Sequence, residues 1–188
     1  SDISPTIFGA VFESTLNPET RRSGGMHYTS IENIHKVIDP LFMDELNNEF
    51  IEIKVEQNLS QRTKKLKAFQ DKIANLTFLD PACGSGNFLT ETYISLRKLE
   101  NAILTELFNG QGKLGFEGEL NPIKVSINQF YGIEINDFAV TVAKTALWIA
   151  ESQMMKLTES IVHMDLDFLP LKTNANIVED NALRIDWE

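Results

Sequence analysis

The stretch FLDPACGSGNF, residues 78–88, runs from an apolar segment through a turn of small residues into a helix-like apolar pattern. Gly84 and Gly86 remove Cβ atoms where a ligand would approach the backbone, and they permit positive φ. The N–H groups at the following helix start, near Asn87, favour negative charge. A dinucleotide fingerprint needs a further glycine where Leu89 stands, and a P-loop needs Lys-Ser/Thr where Asn87-Phe88 follow. Neither nucleotide motif is met, and packing alone explains many such turns. Glu134, at the end of the apolar run YGIE, narrows the choice. A carboxylate there can accept from both hydroxyls of a ribose at about 2.7 Å. Turn and carboxylate together point to an adenosine moiety, with Asp180 or Asn181 reading its amino group. Cys83 reads as a small packing residue, because no base stands near it in sequence.

These groups need a framework that brings them to one edge. LTFLD (76–80), QFYGIEI (129–135) and NIVEDNAL (176–183) read as strands. Between the first two lie a long helix from Asn87, with Leu89, Tyr93, Leu96, Leu99, Ile103 and Leu107 on one face, and a glycine-containing loop at 109–122. A helix over 136–155, apolar on most sides and hence buried, joins the second strand to the third. Such alternation predicts right-handed crossovers and a mostly parallel sheet, with ligands beyond the carboxyl ends of its strands. Upstream, Ser4 caps an amphipathic helix over 4–16 and Ser30 caps a second over 31–38 that stops before Pro40. Residues 41–75 read as one or two solvated helices.

Composition bounds the function. At 188 residues, 43% hydrophobic and 23% charged, the chain is globular and is one domain or a large part of one. No apolar run approaches the ~20 residues of a membrane span. One cysteine excludes an intramolecular disulfide and fits a reducing cytoplasm; with three scattered histidines it leaves no metal-ligand set. A net charge of −10 argues against this portion being a main DNA-gripping surface. The lack of an initiator Met and the stop at Asp186-Trp187-Glu188 lead us to expect a piece of something longer.

LDPACGSGNFL resembles the first cofactor motif of the N6-adenine DNA methyltransferases, and YGIEIN their second. VEDNALRIDW resembles the third, with Asp180 in the place of a glycine. RRSGGMHYTS resembles the motif preceding these in the gamma-type order, with Ser30 where proline is common. The stretch from Phe8 to Phe42 is most similar to the large single-chain restriction–modification enzymes and phage-defence methylases. The resemblance runs from about residue 7 to the end of the chain.

It implies a partial doubly wound, Rossmann-like α/β fold that binds S-adenosylmethionine. Residues 1–75 are then an N-terminal helical segment, and 76–188 the first half of the methyltransferase α/β domain. Tyr28 and Thr29 would line the methionine side. Asp80, Ala82, Cys83, Gly84 and Gly86 would form the turn around its amino-acid part, with Asn87 and Phe88 opening the helix. Glu134 would hold the ribose, Ile135 would pack on the adenine and Asn181 would read it. The family's target-base tetrapeptide, Asn-Pro-Pro-aromatic, does not occur; Asn17-Pro18 and Asn121-Pro122 are each followed by other residues. No catalytic residue is therefore expected in this chain. It should bind cofactor weakly, without methylating DNA by itself, DNA being held by parts outside it. An unfinished sheet predicts self-association, or compensating packing by the N-terminal helices. The alternatives are a methyltransferase for RNA, protein or a small molecule, and a non-catalytic cofactor-binding module.

Overall fold

The computed structural model describes residues 4–6, 8, 11, 29–111, 121–163, 166 and 175–186. Most of the helix expected over 4–16 lies outside these, although Pro5, Thr6, Phe8 and Val11 are helical. The centre of the loop at 109–122 also lies outside them. Ser30 caps α1 (Ile31–Ile38), its hydroxyl accepting from the Asn33 N–H at 3.4 Å, with Ile34 and Ile38 turned inward. The α-helical geometry ends at Ile38, but the chain does not leave the helix there. Asp39–Met43 form a π-turn in which the Asp44 N–H reaches back to the Asp39 carbonyl. Widening the helix by one residue accommodates Pro40, which has no N–H to donate. The expected stop is thus replaced by a continuation into α2 (Asp44–Lys54).

After a turn, Asn58 caps α3 (Leu59–Ala74) by accepting from the Gln61 N–H at 3.1 Å. These two helices are not merely solvated. Leu46, Phe50 and Ile53 of α2 and Leu66, Phe69 and Ile73 of α3 are buried, and the rings of Phe50 and Phe69 stack at 6.4 Å. Burying each such side chain is worth about 1.5–3 kcal/mol.

β1 (Phe78–Asp80), β2 (Phe130–Glu134) and β3 (Asn176–Glu179) form a parallel sheet in the order β1-β2-β3. Phe78 pairs with Phe130, and Glu134 with Glu179, so the carboxyl ends of the strands share one edge. α4 (Asn87–Gln111) connects β1 to β2, and α5 (Asp137–Val162) connects β2 to β3. α5 runs beyond the expected 155 and closes on His163 in the left-handed region, φ 52°. Right-handed crossovers in a one-way strand order put both helices on one face of the sheet, where they pack on each other. The core runs from the π-turn through the sheet into α4: Phe42 meets Phe78 at 5.1 Å, Phe78 stacks on Phe130 at 5.2 Å, and Tyr93 meets Phe130 edge-on at 5.6 Å.

Candidate functional site

β1 ends in Asp80 and the chain turns back over the sheet edge. The Asp80 carboxylate accepts from the Ala82 N–H at 3.0 Å, and the Cys83 N–H donates to the Ile133 carbonyl at 3.1 Å. The Gly84 N–H donates to Glu134 Oε2 at 3.0 Å, and the Gly86 N–H to the Cys83 carbonyl at 2.8 Å. The amides of Ala82, Cys83, Gly84 and Gly86 are therefore committed within the protein. A phosphate cradle leaves such donors pointing outward; this turn does not, and the expected negative-charge preference is confined to the helix start beyond it.

Both turn glycines have positive φ, 54° at Gly84 and 77° at Gly86. A Cβ on Gly84 would meet nothing within 4 Å, so this glycine faces open space where a ligand can approach. A Cβ on Gly86 would lie 2.7 Å from Ala143 Cβ. Its lack of a Cβ therefore also lets α5 pack closely against the turn, a second demand on a residue expected to serve ligand approach. Gly132, unflagged in the sequence, is as constrained: a Cβ there would meet Cys83 Sγ at 2.8 Å and Leu89 at 3.1 Å. An isolated glycine inside a strand is the signal that marks such a close approach.

Glu134 is buried, and each of its oxygens holds one backbone amide: Oε2 that of Gly84, Oε1 that of Asn136 at 2.9 Å. A carboxylate has about four acceptor sites, so both oxygens keep capacity. Asn136 caps α5 by accepting from the Ala139 N–H at 3.0 Å, which fixes the end of β2 against that helix. Burial pushes the Asp80 carboxyl above its ordinary range, the Ala82 N–H opposes this, and Glu134 adds to the rise. Burial, with Asp80 and Glu134 nearby, pushes the Cys83 thiol up to about 12, so Cys83 is a packing residue rather than a nucleophile. The edge presents acceptors and negative field. It suits hydroxyl donors and a cation, and it opposes a phosphate.

The Asp180 N–H donates to the Glu134 carbonyl at 3.0 Å, which brings β3's end to the same edge. Asp180 Oδ1 accepts from the Asn181 N–H at 2.7 Å, and Asn181 Oδ1 accepts from the Leu183 N–H at 3.0 Å. Each residue thus shapes the turn with one of its acceptor sites. Ile135 is 64% exposed on the lip, an apolar surface free to receive a ring. Phe88 instead packs against the core, and Asn87 is buried with its Oδ1 unpartnered and shut from solvent. Both open the helix that follows the turn. Thr29 is half-buried just ahead of the Ser30 cap. Tyr28 lies outside the described residues. Among the described residues no helix is long and apolar enough to cross a membrane, and no cluster of His, Cys, Asp and Glu could hold a metal.

Comparison with known proteins gives this edge a context. Residues 56–188 match the family model described as MmeI, DNA-methyltransferase domain. DNA methyltransferase A of Bacillus subtilis is 43% identical over 186 residues, covering 98% of this chain and 20% of that protein. A putative type II restriction enzyme and methyltransferase of Methanocaldococcus jannaschii is 26% identical over 174 residues, covering 79% of this chain and 14% of that protein. The solved structure of the type IIL restriction–modification enzyme MmeI in complex with DNA superposes with a TM-score of 0.85 at 44% identity, covering 98% of this chain and 24% of that one. The chain therefore spans about a fifth of the first curated relative.

Proposed function

The chain belongs to the MmeI DNA-methyltransferase domain family, and from that premise we propose that it is the cofactor-binding part of an adenine-N6 DNA methyltransferase of a restriction–modification system, acting in the cytoplasm. Its sheet is then the opening half of a doubly wound, Rossmann-like fold, residues 1–75 forming the N-terminal helical segment and 76–188 the α/β part. The cofactor is S-adenosylmethionine, which supplies an electrophilic methyl group on a sulfonium centre and carries a ribose and an adenine without phosphate. The observation that carries this reading is the buried Glu134 carboxylate, tied to the glycine turn by the Gly84 N–H and retaining acceptor capacity on both oxygens.

On this reading Glu134 accepts from the ribose hydroxyls. The open face of Gly84 admits the amino-acid part, flanked by Asp80, Ala82, Cys83 and Gly86. The field of Asp80 and Glu134 favours the positive charges of sulfonium and ammonium. Ile135 packs on the adenine while Asp180 or Asn181 accepts from its amino group, and Tyr28 and Thr29 line the methionine side. Asn-Pro-Pro-aromatic is absent from these 188 residues, so the flipped target base is held by chain outside them, as is most of the DNA.

Two measurements test this. Calorimetric titration of S-adenosylmethionine should show saturable binding that Glu134→Ala weakens about 100-fold, the worth of two charge-assisted hydrogen bonds. Equal affinity in both proteins removes Glu134 from the site. These residues alone should transfer no tritiated methyl to duplex DNA; transfer above background overturns the division of labour.

A further inference from the structure

Glu91 lies one turn into α4 from Asn87, buried, and is held by two side chains from distant parts of the sequence. The Thr6 hydroxyl donates to its Oε2 at 3.0 Å, and His35 Nε2 lies 3.1 Å from its Oε1. The other ring nitrogen, Nδ1, lies 2.8 Å from Asp39 Oδ1. A neutral imidazole donates from one nitrogen only, so a ring flanked by two carboxylates bonds both only as the imidazolium. In keeping with this, hydrogen bonding to Asp39, and after it to Glu91, holds His35 above its ordinary value against the opposing effect of burial. Asp44 of α2 and Lys98 of α4 line the open groove beside the ring, while Glu32 and Lys36 pair with each other.

The placement gives this clamp a consequence. From Ser30 to His35, and from Asn87 to Glu91, is little more than one helical turn, about 6–8 Å. The clamp therefore stands one turn behind both segments assigned to the methyl donor: Thr29 ahead of α1, and the glycine turn ahead of α4. We propose that Glu91 is a positioning residue that, by bridging Thr6 and His35, holds the N-terminal segment carrying Thr29 against the helix leaving the glycine turn, and so sets the affinity for the methyl donor and its pH dependence. This rests on the cofactor reading above. Because His35 is raised, the ring bonds both carboxylates below pH 6.5, and as pH climbs through the raised value the neutral ring can keep only one of them, the Thr6 contact staying in place.

The test is calorimetric titration of S-adenosylmethionine into the full-length protein from pH 6 to pH 9, comparing wild type with Glu91→Gln. Titration of the ligand's own amine affects both proteins alike, so the ratio of their Kd values isolates the clamp. The ratio should be about tenfold at pH 6 and fall several-fold by pH 9, where the neutral ring can keep only one of its two carboxylates. A ratio of one throughout overturns the proposal, and a ratio constant with pH reduces Glu91 to a structural residue and overturns it equally. If Glu91→Gln fails to fold, Thr6→Val and His35→Gln carry the same comparison and must weaken binding at pH 6. A Glu134→Ala protein that loses affinity beside an unaffected Glu91→Gln removes the clamp alone; a wild type that binds no cofactor removes the site and the clamp together.

Discussion

Gly84 and Gly86 stand two residues apart in the same turn, both in the left-handed region, yet they face different neighbours. Gly84→Ala meets open space, so it costs only the backbone strain of a Cβ at φ 54°, about 1–2 kcal/mol. Gly86→Ala adds a contact of 2.7 Å with the Ala143 side chain, on a helix that cannot easily shift, and overpacking adds about 1–3 kcal/mol to the strain. Urea unfolding should therefore place Gly86→Ala well below Gly84→Ala; equal midpoints would contradict the packing role. Nothing in G-S-G separates the two, because the neighbour that distinguishes them is nearly 60 residues away in α5. Cys83 offers a second check at this scale. Its thiol, raised to about 12 mainly by burial, stays protonated when the unfolded thiol ionises near 9. Stability from this group is full below pH 9 and is lost as pH rises towards 12. At pH 8 a thiol reagent should label Cys83 only at the rate of unfolding, and immediate labelling of the folded protein would refute its burial.

α4 shows what periodicity reveals in an element and what it leaves out. Leu89, Tyr93, Leu96, Leu99, Ile103 and Leu107 are legible as an apolar stripe, and all are buried. The same helix also buries Glu91, Arg97 and Glu100, which a two-sided reading assigns to solvent. Their partners lie far away in sequence. Gln70 Nε2 donates to Glu100 Oε1 at 2.8 Å, and the amides of Lys124 and Val125 donate to the same oxygen at 2.7 and 3.1 Å. Arg97 donates to the Thr158 hydroxyl at 2.6 Å and lies 3.3 Å from Glu100 Oε2 in a pair that is close without being aligned as a hydrogen bond. α4 is therefore a central helix, packed by α1 and α3 on one side and by α5 and the sheet on others. No local pattern announces that, just as no local pattern announces a π-turn at Pro40. Removing one charge from this pair strands the other: Glu100→Gln should lower stability by about 3–5 kcal/mol, and Arg97→Met with Glu100→Met should not recover it, because methionine also leaves the Gln70 side chain and the Lys124 and Val125 amides without an acceptor. Thermal melts that rank the double variant well above the single one would refute this.

Over the whole molecule, what was legible follows from where the motifs lie. Asp80 and Glu134 each end a strand and Asp180 directly follows one, and parallel strands carry their ends to one edge whatever the helices do. The layering was harder to foresee. With both crossover helices on one face, alternate strand residues point to the other, and Leu79, Tyr131 and Val178 are exposed there. Among the described residues the N-terminal helices do not remedy this. Phe42 reaches Phe78 on the helix-covered side at 5.1 Å, and the opposite side of β1 keeps Leu79 52% exposed. Among the described residues β1 also pairs with β2 alone, leaving its outer edge open. An open apolar face beside an unpaired edge is a template for association, and a net charge of −10 opposes it only over about 8 Å at physiological salt. A polypeptide of these 188 residues should therefore give, by light scattering in 0.15 M salt, a mass above the 21.3 kDa of one chain, rising with concentration. Leu79→Lys together with Val178→Lys should return it to monomer. A steady monomer mass for the unsubstituted chain would mean that this face is closed in solution.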